Sequence, residues 1–215
     1  AEIEARAQRL LDHIKSQDLS GVVLFDNFYV LYYTGFAFIP TERPIAFAMN
    51  AKGERALFVP RLELEHAQAK ARVDRVDHYL EYPNDPHPIV IFRDVLREMN
   101  FARRIGADHD GYPWILGYRG EALSSLMDAE VVRVTGFVED EMAVKSEAEL
   151  ALIRESVKWG HLAHVLLQRY TKVGATETEV SLRASTEATL AMMDAIGPLY
   201  RAQSTGRGGP SAGYR

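Results

Sequence analysis

Cysteine does not occur in this 215-residue chain. Its absence removes disulfides, thiolate metal sites and cysteine nucleophiles together, and fits a reducing compartment. Surplus positive charge is missing as well. Lys and Arg number 25 against 30 Asp and Glu, a formal net charge of -5, and no basic stripe is present to follow a phosphate backbone. Nucleic acid is therefore not expected as a partner. No run is apolar and long enough to span a bilayer, and Glu2 to Gln17 alternates charged with apolar residues, unlike a secretory signal. A cytoplasmic protein without membrane association is the expectation. Two motif classes are lacking too: there is no G-x-S-x-G elbow, and Gly206-Arg207-Gly208-Gly209 lacks the lysine and hydroxyl residue of a P-loop and follows no strand.

What is present is enough apolar material, 47% of residues, to bury one large core or two modest ones. Ile3, Ala7, Leu10, Leu11 and Ile14 recur at helical spacing, and Gly21 opens the strand-like run Val22 to Phe25. Pro44 to Asn50 and Arg55 to Val59 flank the turn residues Ala51 to Glu54, which predicts a hairpin. A polar helix beyond Pro60, a strand over Arg75 to Leu80, a proline-punctuated loop at Pro83, Pro86 and Pro88, and a helix through Ile89, Phe92, Leu96 and Met99 follow. A short strand at Ile105, a helix over Leu116 to Leu126 and a strand at Val131 to Val134 complete an α/β pattern, a mixed sheet flanked by helices. From Phe137 the pattern turns helical. Ser146 with Glu149 reads as a capping box opening a long helix that ends at Val173-Gly174. Thr176 with Glu179 reads as another, opening a helix that stops at Gly197-Pro198. Two units are expected, residues 1–136 and 137–215, with Ser204 to Arg215 as loop.

Several residues could carry chemistry. His161 and His164 share a helix face, as two ligands of one metal would, but no third ligand stands at the next turn. Asp108-His109-Asp110 follows a strand, where sites collect, although Asp110-Gly111 is first a turn signal. His66 beside Glu63 and His13 beside Asp12 read as solvated helix faces, and His78, alternating with apolar neighbours, as a core histidine. The aromatic set Phe28, Tyr29, Tyr32, Tyr33, Phe36 and Phe38 could line a substrate wall, but most of it reads as core beside a buried strand. Arg43, on a loop beside Phe38, Ile39 and Pro40, is placed to hold a carboxylate with a bidentate guanidinium.

The run Lys145-Ser146-Glu147-Ala148-Glu149-Leu150-Ala151-Leu152-Ile153-Arg154 and the motif Tyr32-Tyr33-Thr34-Gly35-Phe36 together resemble the pita-bread fold enzymes: aminopeptidase P, prolidase and creatinase. The resemblance implies a creatinase-like amino-terminal domain followed by the first helices of a pita-bread α+β domain. It implies the amino-terminal part of a proline-specific metallopeptidase, an Xaa-Pro aminopeptidase or dipeptidase acting on short proline-containing peptides as a homodimer. It places Arg43, with Tyr32 and Phe36, at the substrate. Thr41 stands where creatinase has an aromatic residue, which points away from creatine. Two divalent metal ions, Mn, Co or Zn, are implied in the full-length parent, with ligands beyond Arg215, so no metal, no catalytic residue and no activity are expected within this chain. Alternatives on the same fold are a creatinase-like hydrolase or lyase, and a non-catalytic protein-binding module.

Overall fold

The computed structural model describes residues 1–81, 86–113 and 120–197. It divides into two compact units, Ala1–Glu141 and a second beginning at Met142.

The first unit is built on a six-stranded sheet. In chain order the strands are β1 (Gly21–Leu24), β2 (Ala46–Asn50), β3 (Arg55–Pro60), β4 (Arg75–Tyr79), β5 (Arg104–Ala107) and β6 (Glu130–Arg133). They lie side by side as β4-β3-β2-β1-β5-β6. β2 pairs antiparallel with β1 and β3, and all other pairings are parallel. Five strands therefore end at one edge of the sheet, and β2 starts there. The β2–β3 hairpin is closed by Asn50, whose Oδ1 accepts from Lys52 N and Glu54 N, both at 3.0 Å. Gly53 supplies the positive φ of 90° that this turn requires.

Helices cover both faces. On one lie α1 (Glu2–Ser16), α2 (Asn27–Thr34) and α3 (Leu64–Lys70). α1 buries Ala7, Leu10 and Ile14 at helical spacing, and Tyr33 of α2 stacks on Phe47 of β2 with ring centroids 6.0 Å apart. On the other lie α4 (Pro88–Glu98) and α5 (Leu123–Met127), which close a core holding Phe25, Phe58, Tyr79, Phe92, Leu96 and Phe101. Each such fully buried ring contributes about 1.5–3 kcal/mol. α4 starts where Pro88 occupies its first turn and His87 Nδ1 accepts from Ile89 N at 3.1 Å.

Two local expectations change. In β4 Tyr79 is buried and His78 exposed. Tyr79 turns inward because its ring stacks on Phe58, 5.1 Å away, and its hydroxyl donates to Pro44 O at 3.2 Å, so His78 on the opposite pleat faces solvent. The helix expected over Leu116 to Leu126 is the short α5, and residues 116–119 of that expectation lie outside the described residues, as do Pro83 and the segment from Ser204 onward. A further helix, α6 (Thr135–Ala143), runs unbroken through residue 137. Its contacts up to Glu141 belong to the first unit, so the chain leaves that unit about one helical turn later than the change in sequence pattern at Phe137.

The second unit contains α7 (Glu147–Tyr170) and α8 (Glu177–Ile196). Both expected starts are present. Ser146 Oγ accepts from Glu149 N at 3.2 Å while Glu149 Oε2 accepts from Ser146 N at 2.8 Å, and Thr176 Oγ1 accepts from Glu179 N at 3.2 Å. The two helices pack through Leu166, Ala184 and Ala188 with Leu162, Leu167 and Tyr170. Alanines on α8 let the helices approach closely. Among the described residues no helix is long and apolar enough to cross a membrane.

Candidate functional site

The edge where five strands end is the place a ligand would meet this sheet, since loops there are free to diverge while the strands stay paired. The loop from Gly35 to Ile45 crosses this edge on its way into β2. Two tyrosines from different strands hold its backbone: Tyr112, beyond β5, donates to Thr41 O at 2.8 Å, and Tyr79, ending β4, donates to Pro44 O at 3.2 Å. Burial and the neighbouring Glu42 carboxylate push the Tyr112 hydroxyl up to about 12, so it remains a donor. Between these two anchors sits Arg43. Its backbone N–H donates to Thr41 Oγ1 at 3.2 Å and one guanidinium nitrogen lies 3.6 Å from Glu42 Oε1. Its Nε is buried with no hydrogen-bond partner. A buried N–H without an acceptor costs about 1–3 kcal/mol; this nitrogen is closed off from solvent, while 33% of the Arg43 side chain as a whole is exposed.

The aromatic motif has a different task from the one expected of it. Tyr32-Tyr33-Thr34-Gly35-Phe36 is the stop signal of α2. Gly35 takes the left-handed conformation at φ 73° and its N–H returns to Leu31 O. Thr34 Oγ1, fully buried, donates to Val30 O at 2.6 Å and accepts from Phe36 N at 3.0 Å. That reversal drives Phe36 into the interior at 0% exposure, against Phe38 and His66. Phe36 is thus a core ring with no face for a substrate. Tyr32 is 7% exposed. Its ring lies under the Arg6 guanidinium, 4.0 Å from the centroid, and its hydroxyl reaches Glu141 O at 3.4 Å. Of Arg43, Tyr32 and Phe36, Arg43 alone keeps a sizeable part of its side chain exposed, 33%.

The acidic loop after β5 is structural. Asp108, 2% exposed, accepts from Phe25 N, Asp26 N and His109 N, tying the ends of β1 and β5 together. Burial pushes its carboxyl up, against those backbone donors. Asp110 accepts from Ser124 N and Ser124 Oγ, each at 2.7 Å, and so begins α5. His66 Nδ1 meets Glu63 Oε2 at 3.0 Å on α3. His13 is not merely solvated: its ring stacks on Phe137 at 3.8 Å. His161 and His164 are both exposed on α7. Among the described residues no three His, Asp or Glu side chains converge as a metal site, so these residues do not fit a two-metal centre.

One cluster escaped sequence reading. Glu141 has only 7% of its side chain exposed and binds the Arg9 guanidinium and the Tyr33 hydroxyl. Nearby, Tyr29 donates to Glu139 Oε1 at 2.9 Å. Within Val138-Glu139-Asp140-Glu141-Met142 nothing marks one acid as buried, because its partners are more than a hundred residues earlier.

A solved proline dipeptidase of Streptococcus pneumoniae superposes on 65% of this chain and 98% of its own, with TM-score 0.54 and 27% identity. The prolidase of Pyrococcus horikoshii OT3 matches 87% of this chain and 49% of its own, with TM-score 0.70 and 17% identity. An Xaa-Pro dipeptidase of Bacillus anthracis matches 88% and 49%, with TM-score 0.70 and 16% identity. Among curated sequences, an uncharacterised peptidase of Staphylococcus aureus (strain bovine RF122 / ET3-1) is 22% identical over 175 residues, 81% of this chain and 47% of the relative. The chain thus spans about half the length of the curated relatives it matches. The sequence model of the Creatinase/Prolidase N-terminal domain matches residues 6–144, most of the chain and nearly all of its sheet-bearing unit, and this chain belongs to that family.

Proposed function

We propose that this chain is the amino-terminal part of a proline-specific metallopeptidase, an Xaa-Pro dipeptidase or aminopeptidase acting on short peptides. The observation that carries the reading is how far the likeness to prolidases extends. It covers 87% of this chain, beyond the 6–144 segment of the family match and so into the helices α7 and α8. A creatinase would share this fold, so substrate rather than architecture separates the two readings.

In this reading the described residues bind and orient rather than react. Arg43, part-exposed and only loosely paired with Glu42 at 3.6 Å, receives the carboxylate of a short peptide, while Tyr79 and Tyr112 keep its loop from moving. The protein acts as a cytoplasmic homodimer. Two divalent ions, Mn²⁺, Co²⁺ or Zn²⁺, would supply the electrophile for amide hydrolysis, held by residues outside those described. A creatinase-like hydrolase or lyase has one observation on its side: the part-exposed Arg43 side chain suits any small carboxylate. The test is hydrolysis of Xaa-Pro dipeptides and tripeptides by the longer protein that contains this chain, with each metal, beside creatine. Cleavage of the peptides supports the peptidase reading. Turnover of creatine alone moves the assignment to the second reading, and inertness on both moves it to a binding module. In the active protein R43A should raise KM about ten- to a hundredfold, the worth of one or two charge-assisted hydrogen bonds, with an unchanged thermal midpoint. An unaltered KM would return Arg43 to a structural role.

A further inference from the structure

We infer that α6 is a releasable strap on the first unit, with the Glu141 carboxylate as its catch. α6 is an unusual closing element because it buries little apolar surface: in Thr135–Ala143, Val138 is the one buried side chain. Its attachment is polar and concentrated near its carboxyl end. Glu141 takes Arg9 of α1 and Tyr33 of α2 on its two oxygens. The backbone carbonyl of the same residue accepts from Tyr32, and Glu139, two residues earlier, accepts from Tyr29. At the other end α6 continues directly from β6, through Val134 N donating to Ala107 O at 3.0 Å. The amino end thus continues the sheet and is held by the ring stack of Phe137 on His13, while the carboxyl end hangs on two carboxylates.

Such an element opens in one piece. Charge-assisted bonds to a nearly buried carboxylate form together or not at all, since Arg9 and Tyr33 share one acceptor group whose desolvation neither offsets alone. The sheet core beneath is apolar and keeps its own packing when α6 lifts. The opening reaches the segment that follows α6. Val144 and Lys145 are exposed, and Lys145 Nζ caps the last carbonyls of α6, donating to Met142 O at 2.6 Å and Ala143 O at 3.3 Å. Once Glu141 disengages, the carboxyl end of α6 and the Lys145 peptide bond become accessible while the sheet stays folded.

Amide hydrogen exchange of the 215-residue chain, read by mass spectrometry, tests this, with tryptic cleavage after Lys145 as a second readout. In the wild type α6 amides should exchange through an opening distinct from that of β1 and β5. E141Q should speed α6 exchange and Lys145 cleavage about tenfold or more, leaving β1 and β5 unchanged. Should E141Q fold poorly, R9Q serves: Arg9 is 53% exposed, so its loss disturbs no core, and it should speed both readouts several-fold. The inference is overturned if wild-type α6 exchanges together with the sheet, if the variants accelerate both segments equally, or if neither variant changes α6.

Discussion

Asp108→Ala removes the group that ties the ends of β1 and β5 together, and its cost follows from three backbone donors. Phe25 N, 3.0 Å from both carboxylate oxygens, belongs to a residue only 3% exposed; left without an acceptor it costs about 1–3 kcal/mol. Asp26 N, at 2.7 Å, is half-buried, and His109 N, at 2.9 Å, belongs to an exposed residue, so water recovers part of their loss. The sum is about 2–5 kcal/mol, a large share of the 5–15 kcal/mol typical of a domain. D108N has the same shape, but its amide nitrogen would oppose Asp26 N–H, and it should fall between wild type and D108A. The pH dependence has a definite sign. Burial raises the Asp108 carboxyl above its ordinary value of 3.8, so the folded state holds a proton more tightly than the unfolded chain does. The contribution of Asp108 is therefore greatest below that ordinary value and declines as pH rises through the folded one. The stability gap between wild type and D108A should widen as pH falls from 7 toward 4. Urea unfolding followed by circular dichroism, with amide exchange at β1 and β5, measures both effects. D108A within about 0.5 kcal/mol of wild type, the usual span for surface changes, would refute the tie. A gap that narrows on acidification would show that the backbone donors outweigh burial.

Two further outcomes rest on single contacts. G21A should destabilise by about 1–3 kcal/mol or more, because its Cβ would overlap the buried Phe101 ring and come within 2.6 Å of Met49 O, sheet backbone that has no room to yield; F101L should restore part of the loss in a double-mutant cycle, and additive losses would refute the clash. Desolvation lowers both His13, stacked on Phe137, and His87, whose Nδ1 accepts from Ile89 N, against the opposing pull of Glu141 and Glu121 respectively. The unfolded chain therefore takes up protons first, and stability should fall as pH drops below the ordinary 6.5. Combining H13Q with H87Q should flatten that slope in urea titrations between pH 7 and 5, and an unaltered slope would assign it to other groups.

Much of the architecture was legible because its signals are local. The 3.6-residue spacing of Ala7, Leu10 and Ile14, the turn chemistry of Ala51 to Glu54, and the Ser146/Glu149 capping box each act within a few residues, and each element stands where it was expected. Arg43 was legible as a loop arginine beside apolar neighbours. The reading of Phe36 as a ligand contact failed because its direction is set by the left-handed turn at Gly35 and by what α2 packs against. His78 failed similarly, since a strand pattern says which residues alternate but not which face is buried.

The sequence by itself determined the α/β class, the order of the strands and the starts of α7 and α8, which depend on periodicity and short-range hydrogen bonding, and its motifs carried the family resemblance. Only the tertiary structure decided that Asp108 is a tie rather than a site, that α6 belongs with the sheet, and that Glu141 among its acidic neighbours is the buried one. Asp108 meets Phe25 across 83 residues and Glu141 meets Arg9 across 132. A carboxylate's role is set by the donors that surround it, and pairing at such separations leaves no period in the chain from which those donors could be read.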